Sequence, residues 1–328
     1  MAGSTRVALR IWPLVLGLAG CAGPGDRMPA LDLDVGPAMS FAPVRAIGAR
    51  GTGPGEFDQP TGVALDHAGR LYVVDFGNNR VQKFDVEGRF LLEFGIFGSE
   101  NGQFVEPVDA SAAHGFSLAV TDSRNERWQT FDFDGNFLAG SRPASEVRRT
   151  VGLGIPWGIA RAPDGRLLVS NVQDHGIVVV GLDGEIEFSF GGFGAGVGQL
   201  NEPKGVALSR RRDVFVADSG NHRVQVFDLH GGPLRVWGRR GRGTGEFETP
   251  EGVAVDGEGR VFVADTGNDR VQVFDGAGRW LASLSEAGPY GMLSQPAALA
   301  VDGPRLVVAD TGNDRVLEFR VIDERVPR

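Results

Sequence analysis

A chain of 328 residues with 50 glycines, one cysteine and 9% aromatic residues carries a formal charge of −9. One cysteine excludes a disulfide framework and a cysteine-built zinc site, and the acidic balance argues against a nucleic-acid binder. Length alone permits two domains, but closed repeat folds commonly run this long as one.

Residues 1–20 read as an export signal rather than as part of the fold. Arg6 and Arg10 make a positive start, and Ile11 to Leu18 a short apolar run. That run is far below the roughly 20 residues that span a bilayer. It ends in Leu18-Ala19-Gly20-Cys21, which resembles the bacterial lipobox. The resemblance implies cleavage before Cys21 and a diacylglycerol on its thiol. Loss of Arg6 and Arg10 takes the charge from −9 to −11. Ala22 points to the outer membrane, by analogy with enteric sorting, where Asp retains. Residues 21–40 carry Gly, Pro, Asp and Met without a period, and read as a flexible tether.

Pro43-Val-Arg-Ala-Ile-Gly48 then matches Pro233-Leu-Arg-Val-Trp-Gly238, and each Gly is followed at the same spacing by Pro60 or Pro250. Further prolines stand at 107, 156, 203 and 296, so the spacings run from 46 to 49 residues. Each proline opens a unit of which Val261 to Asp275 is the clearest copy. Val261–Val263 and Val271–Phe274 suit buried strands. Asp265-Thr-Gly-Asn between them is turn chemistry, in which Gly267 is free to take a positive φ. A period near 45 residues with four short strands signals a propeller blade.

Pro250-Glu-Gly-Val-Ala-Val-Asp followed by Val-Ala-Asp-Thr-Gly-Asn-Asp-Arg-Val resembles the NHL repeat. The resemblance covers residues 41–323 and implies an all-β, six-bladed β-propeller with four antiparallel strands per blade. The last repeat lacks an outer strand, since only a short tail, 324–328, follows Asp323. Val44–Ile47 is therefore expected to pair with Val316–Val321 and close the ring, which removes free sheet edges.

Five aspartates, Asp75, Asp122, Asp218, Asp265 and Asp310, each precede an arginine by five residues: Arg80, Arg127, Arg223, Arg270 and Arg315. The third repeat has Asn171 and Gly176 instead and reads as having lost the turn altogether. Joint loss predicts a structural pair within one blade; a metal-binding ring is the alternative. Zinc wants three converging ligands, often His. The turns place His67, His114 and His230 on one face and His175 and His222 on the other, with none expected on the channel. No metal and no cofactor are expected.

Strand a of each blade should start at the face bearing the d–a and b–c loops. The residues after the prolines, Thr61, Val108, Trp157, Lys204, Glu251 and Ala297, are then expected to ring the channel mouth. Asp109 stands where other repeats have Gly62, Gly158, Gly205 or Gly252. Arg239 and Arg240, with Arg242, make a basic loop on that face, open to an anion. The candidate ligand-binding set is Trp157, Lys204, Glu251, Asp109, Thr61, Arg239 and Arg240.

These readings point to a non-catalytic binding or scaffold lipoprotein of the bacterial cell envelope, facing the periplasm. Its expected partner is a protein, peptide or glycan at the channel mouth, with the membrane reached through Cys21. Export and charge argue against nucleic acid. The alternative is a metal-dependent lyase or lactonase, because relatives of this fold include enzymes with metal-binding histidines or a calcium site. Neither ligand set can be matched here by position.

Overall fold

The computed structural model describes residues 39–112, 117–141 and 154–323, and these form six four-stranded antiparallel sheets. The export signal, Cys21, most of the tether, His114, Arg142, Arg148, Arg149 and the tail lie outside the described residues. Each sheet is one blade, with strands a to d running outward from a central channel. Blade 4 is Pro203–Leu208, Val214–Asp218, Arg223–Phe227 and Pro233–Trp237. Strand b of blade 4, Val-Phe-Val-Ala-Asp, is buried along its whole length. It is covered on both faces by neighbouring blades, so it reads as an unbroken apolar run rather than an alternation. Strand d of blade 1, Phe90–Phe94, has one face toward solvent and alternates in burial.

The core is divided in the same way. Six clusters lie between neighbouring blades, among them Ala160, Ile177, Val206 and Phe227 between blades 3 and 4. In five of the d–a loops a buried plug, such as Phe57, Phe104 or Phe247, enters a cluster. Gly48 shows why a glycine opens these loops. Its φ is +86°, and a Cβ there would meet the Phe57 ring at 2.3 Å.

Blades are latched to one another at the b–c turns. In most turns the fifth residue is left-handed, and its side chain accepts a hydrogen bond from the residue before the next blade's proline. Asn79 takes the Glu106 N–H at 2.9 Å, and Asp269 takes that of Gln295 at 2.7 Å. Asp314 does the same for Gln59 at 2.8 Å, across the junction of blade 6 and blade 1. Gly267, expected to supply the positive φ, does not; Asp269 carries it at 55°. Gly267 is needed for close approach instead, since a Cβ would lie 2.7 Å from the Glu248 carbonyl oxygen.

Blade 3 keeps a turn that the sequence reads as lost. His175 is left-handed there at φ 55°, and Asn171 donates to Asp174 at 2.8 Å. The chemistry of the turn has changed while its geometry has not.

Strand d of blade 6 is the N-terminal strand, Met39–Ile47. It pairs with Arg315–Asp323 from Met39 opposite Asp323 to Ile47 opposite Val316. It begins at Met39, inside the stretch that composition assigns to the tether. Met39 is 2% exposed, so burial rather than local propensity sets the boundary.

Candidate functional site

The channel mouth assembles from the starts of strands a. Thr61, Val108, Asp109, Trp157, Glu251 and Ala297 surround a cavity of about 30 Å³, the share of one water in the liquid. The expected ring is therefore present, but its opening is pinched. Glycines bring the strands this close: a Cβ on Gly205 would lie 2.4 Å from the Glu251 carbonyl oxygen, and one on Gly158 2.4 Å from that of Lys204. Lys204 Nζ sits 4.5 Å from the Trp157 ring centroid and 2.6 Å from Glu251 Oε1. A cation–π contact and an ion pair thus hold Trp157, Lys204 and Glu251 as one unit across three blades.

Asp109 replaces the glycine contact at the blade 2–3 junction. Its Oδ2 accepts the Ile159 N–H of the next blade at 3.1 Å, and its Oδ1 accepts its neighbour Ala110 at 2.9 Å. Burial pushes this carboxyl up to about 7 against the pull of those two N–H groups. The folded state then keeps a proton, between about pH 4 and pH 7, that the unfolded chain has lost. This group therefore makes stability fall as pH rises through that window. A full shift of this size is worth about 4 kcal/mol; partial solvent access at the channel wall reduces that to about 2 kcal/mol. Asp109→Asn should stabilise the protein by that amount at pH 8 and by little at pH 4, as read by denaturant unfolding. An effect equal at both pH values would mean an ordinary carboxyl.

The Asp–Arg pairs form within single blades. Arg270 Nε meets Asp265 Oδ2 at 2.7 Å, and the same contact spans 2.6–2.8 Å for Asp75–Arg80, Asp122–Arg127, Asp218–Arg223 and Asp310–Arg315. Each pair also grips the incoming d–a loop. Arg270 Nη2 donates to the Gly243 and Glu246 carbonyls, and Asp265 Oδ1 accepts the Glu248 N–H. Burial leaves the Asp75 and Asp122 carboxyls above the usual range despite their arginines. Blade 3, whose entering loop lies mostly outside the described residues, has Asn171 and Gly176 in place of the pair.

Other expectations are revised. Arg239 and Arg240 do not form an anion-facing patch, because Glu246 and Glu248 of their own loop pair with them at 2.8 and 3.1 Å. His175 and His222 are latches, their Nδ1 atoms accepting the N–H groups of Glu202 and Thr249 at 3.0 Å. His67, expected in an a–b turn on the opposite face, lines the channel's other end with no second described histidine beside it. Among the described residues no three His, Cys, Asp or Glu side chains are grouped to hold a metal ion.

Sequence reasoning missed the rim of this face. Phe97 and Phe193 occupy equivalent d–a loop positions and are 72% and 71% exposed. Ile96 and Val197, on the same loops, are 65% and 66% exposed. The equivalent positions on other loops hold Arg50, Arg240 and Glu286. Aligning the loops, rather than only the strands, would have shown apolar residues on the two loops flanking blade 3's and charge on the rest.

Wider cavities open at the opposite end. One of about 750 Å³ is lined by His67, Arg210, Asp256 and Glu258, and continues into a channel segment of about 170 Å³.

The NHL repeat model matches residues 57–84, 200–227 and 247–274. Protein lin-41 of Caenorhabditis elegans is 45% identical over 49 residues, 15% of this chain and 4% of that protein. NHL repeat-containing protein 3 of Homo sapiens is 55% identical over 38 residues, 12% of this chain and 11% of that protein. The chain thus spans a small part of these relatives. Among solved structures, a gluconolactonase from Xanthomonas campestris matches with a TM-score of 0.60 at 17% identity, covering 88% of this chain and 99% of that one. Virginiamycin B lyase from Staphylococcus aureus matches at 0.57 and 12%, covering 87% and 100%. A chain of the nidogen/laminin complex matches at 0.54 and 18%, covering 72% and 82%. At these identities the likeness is one of fold. The blade period, the latched and clamped turns and the three matched segments together make this chain a six-bladed β-propeller that carries NHL repeats.

Proposed function

We propose that this protein is a non-catalytic binding propeller that docks a protein partner on the face bearing Trp157, Phe97 and Phe193. The observation that carries this reading is the pair of exposed phenylalanines on loops held by the Asp–Arg clamps. Large apolar side chains kept exposed and rigid on one face mark interaction surfaces. The Trp157–Lys204–Glu251 unit lies at the centre of that face and adds a polar anchor. A similar fold in the nidogen/laminin complex supports a protein as the partner. The enzyme alternative draws on the lyase and gluconolactonase neighbours, whose likeness extends to the fold alone.

Photo-crosslinking residues placed at 97 and 193 should capture a protein in envelope extracts, whereas one at His230, on the opposite face, should not. Trp157→Ala should weaken the captured complex by about 2 kcal/mol, roughly 30-fold. Capture from position 230 alone, or capture of glycan only, would refute the reading.

The lipobox-like Leu18–Cys21 supports anchoring of the protein on the periplasmic side, with the outer membrane favoured by Ala22. Intact-mass analysis should find acyl groups on Cys21 and lose them in Cys21→Ala; an unmodified mature N-terminus elsewhere would remove the anchor.

A further inference from the structure

The fifth residue after each blade's opening proline lines the wide end of the channel. In five blades it is Leu65, Ala112, Leu208, Val255 or Val301; in blade 3 it is Arg161. A single guanidinium thus stands in an aliphatic ring. Its Nη2 donates to Ser117 Oγ at 3.1 Å, and its backbone N–H donates to Ser111 Oγ at 3.2 Å. Nε is buried with no partner. Among the described residues no carboxylate pairs with Arg161, whereas each turn arginine holds one. Burial alone acts on this group and lowers its pKa from the ordinary guanidinium value, with no charge opposing the shift. An arginine keeps its charge under such conditions.

A desolvated charge without a counter-ion is costly, and the charge is retained where a partner meets it. Asp109, also on the channel wall, does not serve, since its two oxygens are occupied by backbone N–H groups. The space in front of Arg161 is about 170 Å³, roughly six waters in volume. Leu208, Val255 and Val301 put aliphatic side chains on its wall beside exposed polar atoms, and Ser111 carries a neutral hydroxyl among the lining residues. The route in from the wide end passes Asp66, paired with Arg70 at 2.7 Å, Asp256, paired with Arg260, and the acidic Glu258 and Asp302 beside Arg210.

We propose that the wide end of the channel binds an apolar carboxylate, its carboxyl group on the Arg161 guanidinium and Ser111 hydroxyl and its tail against the aliphatic ring. A planar guanidinium presents paired donors that match a carboxylate's two oxygens. This site is separate from the docking face and stands or falls independently of it. Two sources share the chemistry: a short free acid, or the C-terminal carboxylate of a peptide ending in an apolar residue.

Calorimetric titration of the whole folded protein with hexanoate, hexanol, a tetrapeptide ending in Val and the same peptide amidated distinguishes them. Hexanoate or the free-acid peptide should bind, and the alcohol and amide should bind at least tenfold more weakly. Arg161→Leu, which copies blades 1 and 4, should lose that binding at least tenfold. It should also melt above the parent without ligand, because it removes an unpaired, half-buried charge. That second readout guards against a variant that merely misfolds. Failure of both acids to bind at 10 mM, or binding undiminished in a folded Arg161→Leu protein, would overturn the proposal.

Discussion

Deleting residues 39–47 should cost the protein its folded state or at least about 10 °C of melting temperature, and should make it aggregate. The strand supplies the fourth member of blade 6 and pairs along its length with Arg315–Asp323. Met39 and Ile47 are 2% and 7% exposed, and Phe41 packs against the same core. Burial of three such side chains contributes about 5–8 kcal/mol, against a typical total of about 5–15 kcal/mol. At roughly 2–4 °C per kcal/mol for a domain of this size, the shift exceeds 10 °C. The deletion also bares the edge of the Arg315–Asp323 strand, a template for pairing with another chain. Scanning calorimetry with light scattering reads both effects. A monomer with unchanged melting would show that the ring is held without this strand.

Asp265→Ala is expected to destabilise the protein by about 3–5 kcal/mol. Asp265 is fully buried and accepts from Glu248 N–H, Asn268, Arg270 and Gln272. Its removal leaves Arg270, with a side chain 15% exposed, without its counter-ion. It also frees the loop 238–249, whose Gly243 and Glu246 carbonyls the same guanidinium holds. The double variant Asp265→Ala/Arg270→Leu should cost clearly less than the sum of the two single changes, because no uncompensated charge remains. Denaturant unfolding of the three variants tests this. Additive effects would mean that aspartate and arginine act separately, and that their joint absence from blade 3 has another cause.

The predictions differ in how far the sequence foretold them. The blades themselves were legible, since a continuous apolar strand followed by an Asp-Thr-Gly-Asn turn recurs at a nearly fixed interval. The pairing of Asp265 with Arg270 was also legible, because both residues vanish together from blade 3. That each arginine also clamps the incoming loop was not, as its carbonyl partners lie 24 and 27 residues earlier. Carbonyls leave no trace in residue identity.

By itself, then, the sequence determined the number of blades, the prolines that begin five of the six inner strands and the strand that completes the last blade. These follow from local periodicity, which repeats because each blade faces the same neighbours. Only the tertiary structure decided what the channel is. It pinched the mouth at Trp157 through glycine contacts between blades, neutralised Arg239 and Arg240 with carboxylates of their own loop, and turned His175 and His222 into latches. It also brought Arg161 into a ring of aliphatic residues from the five other blades. Such outcomes depend on separations that run from 7 positions within a loop to 47 between neighbouring blades, where packing and desolvation act and sequence spacing says nothing about charge balance.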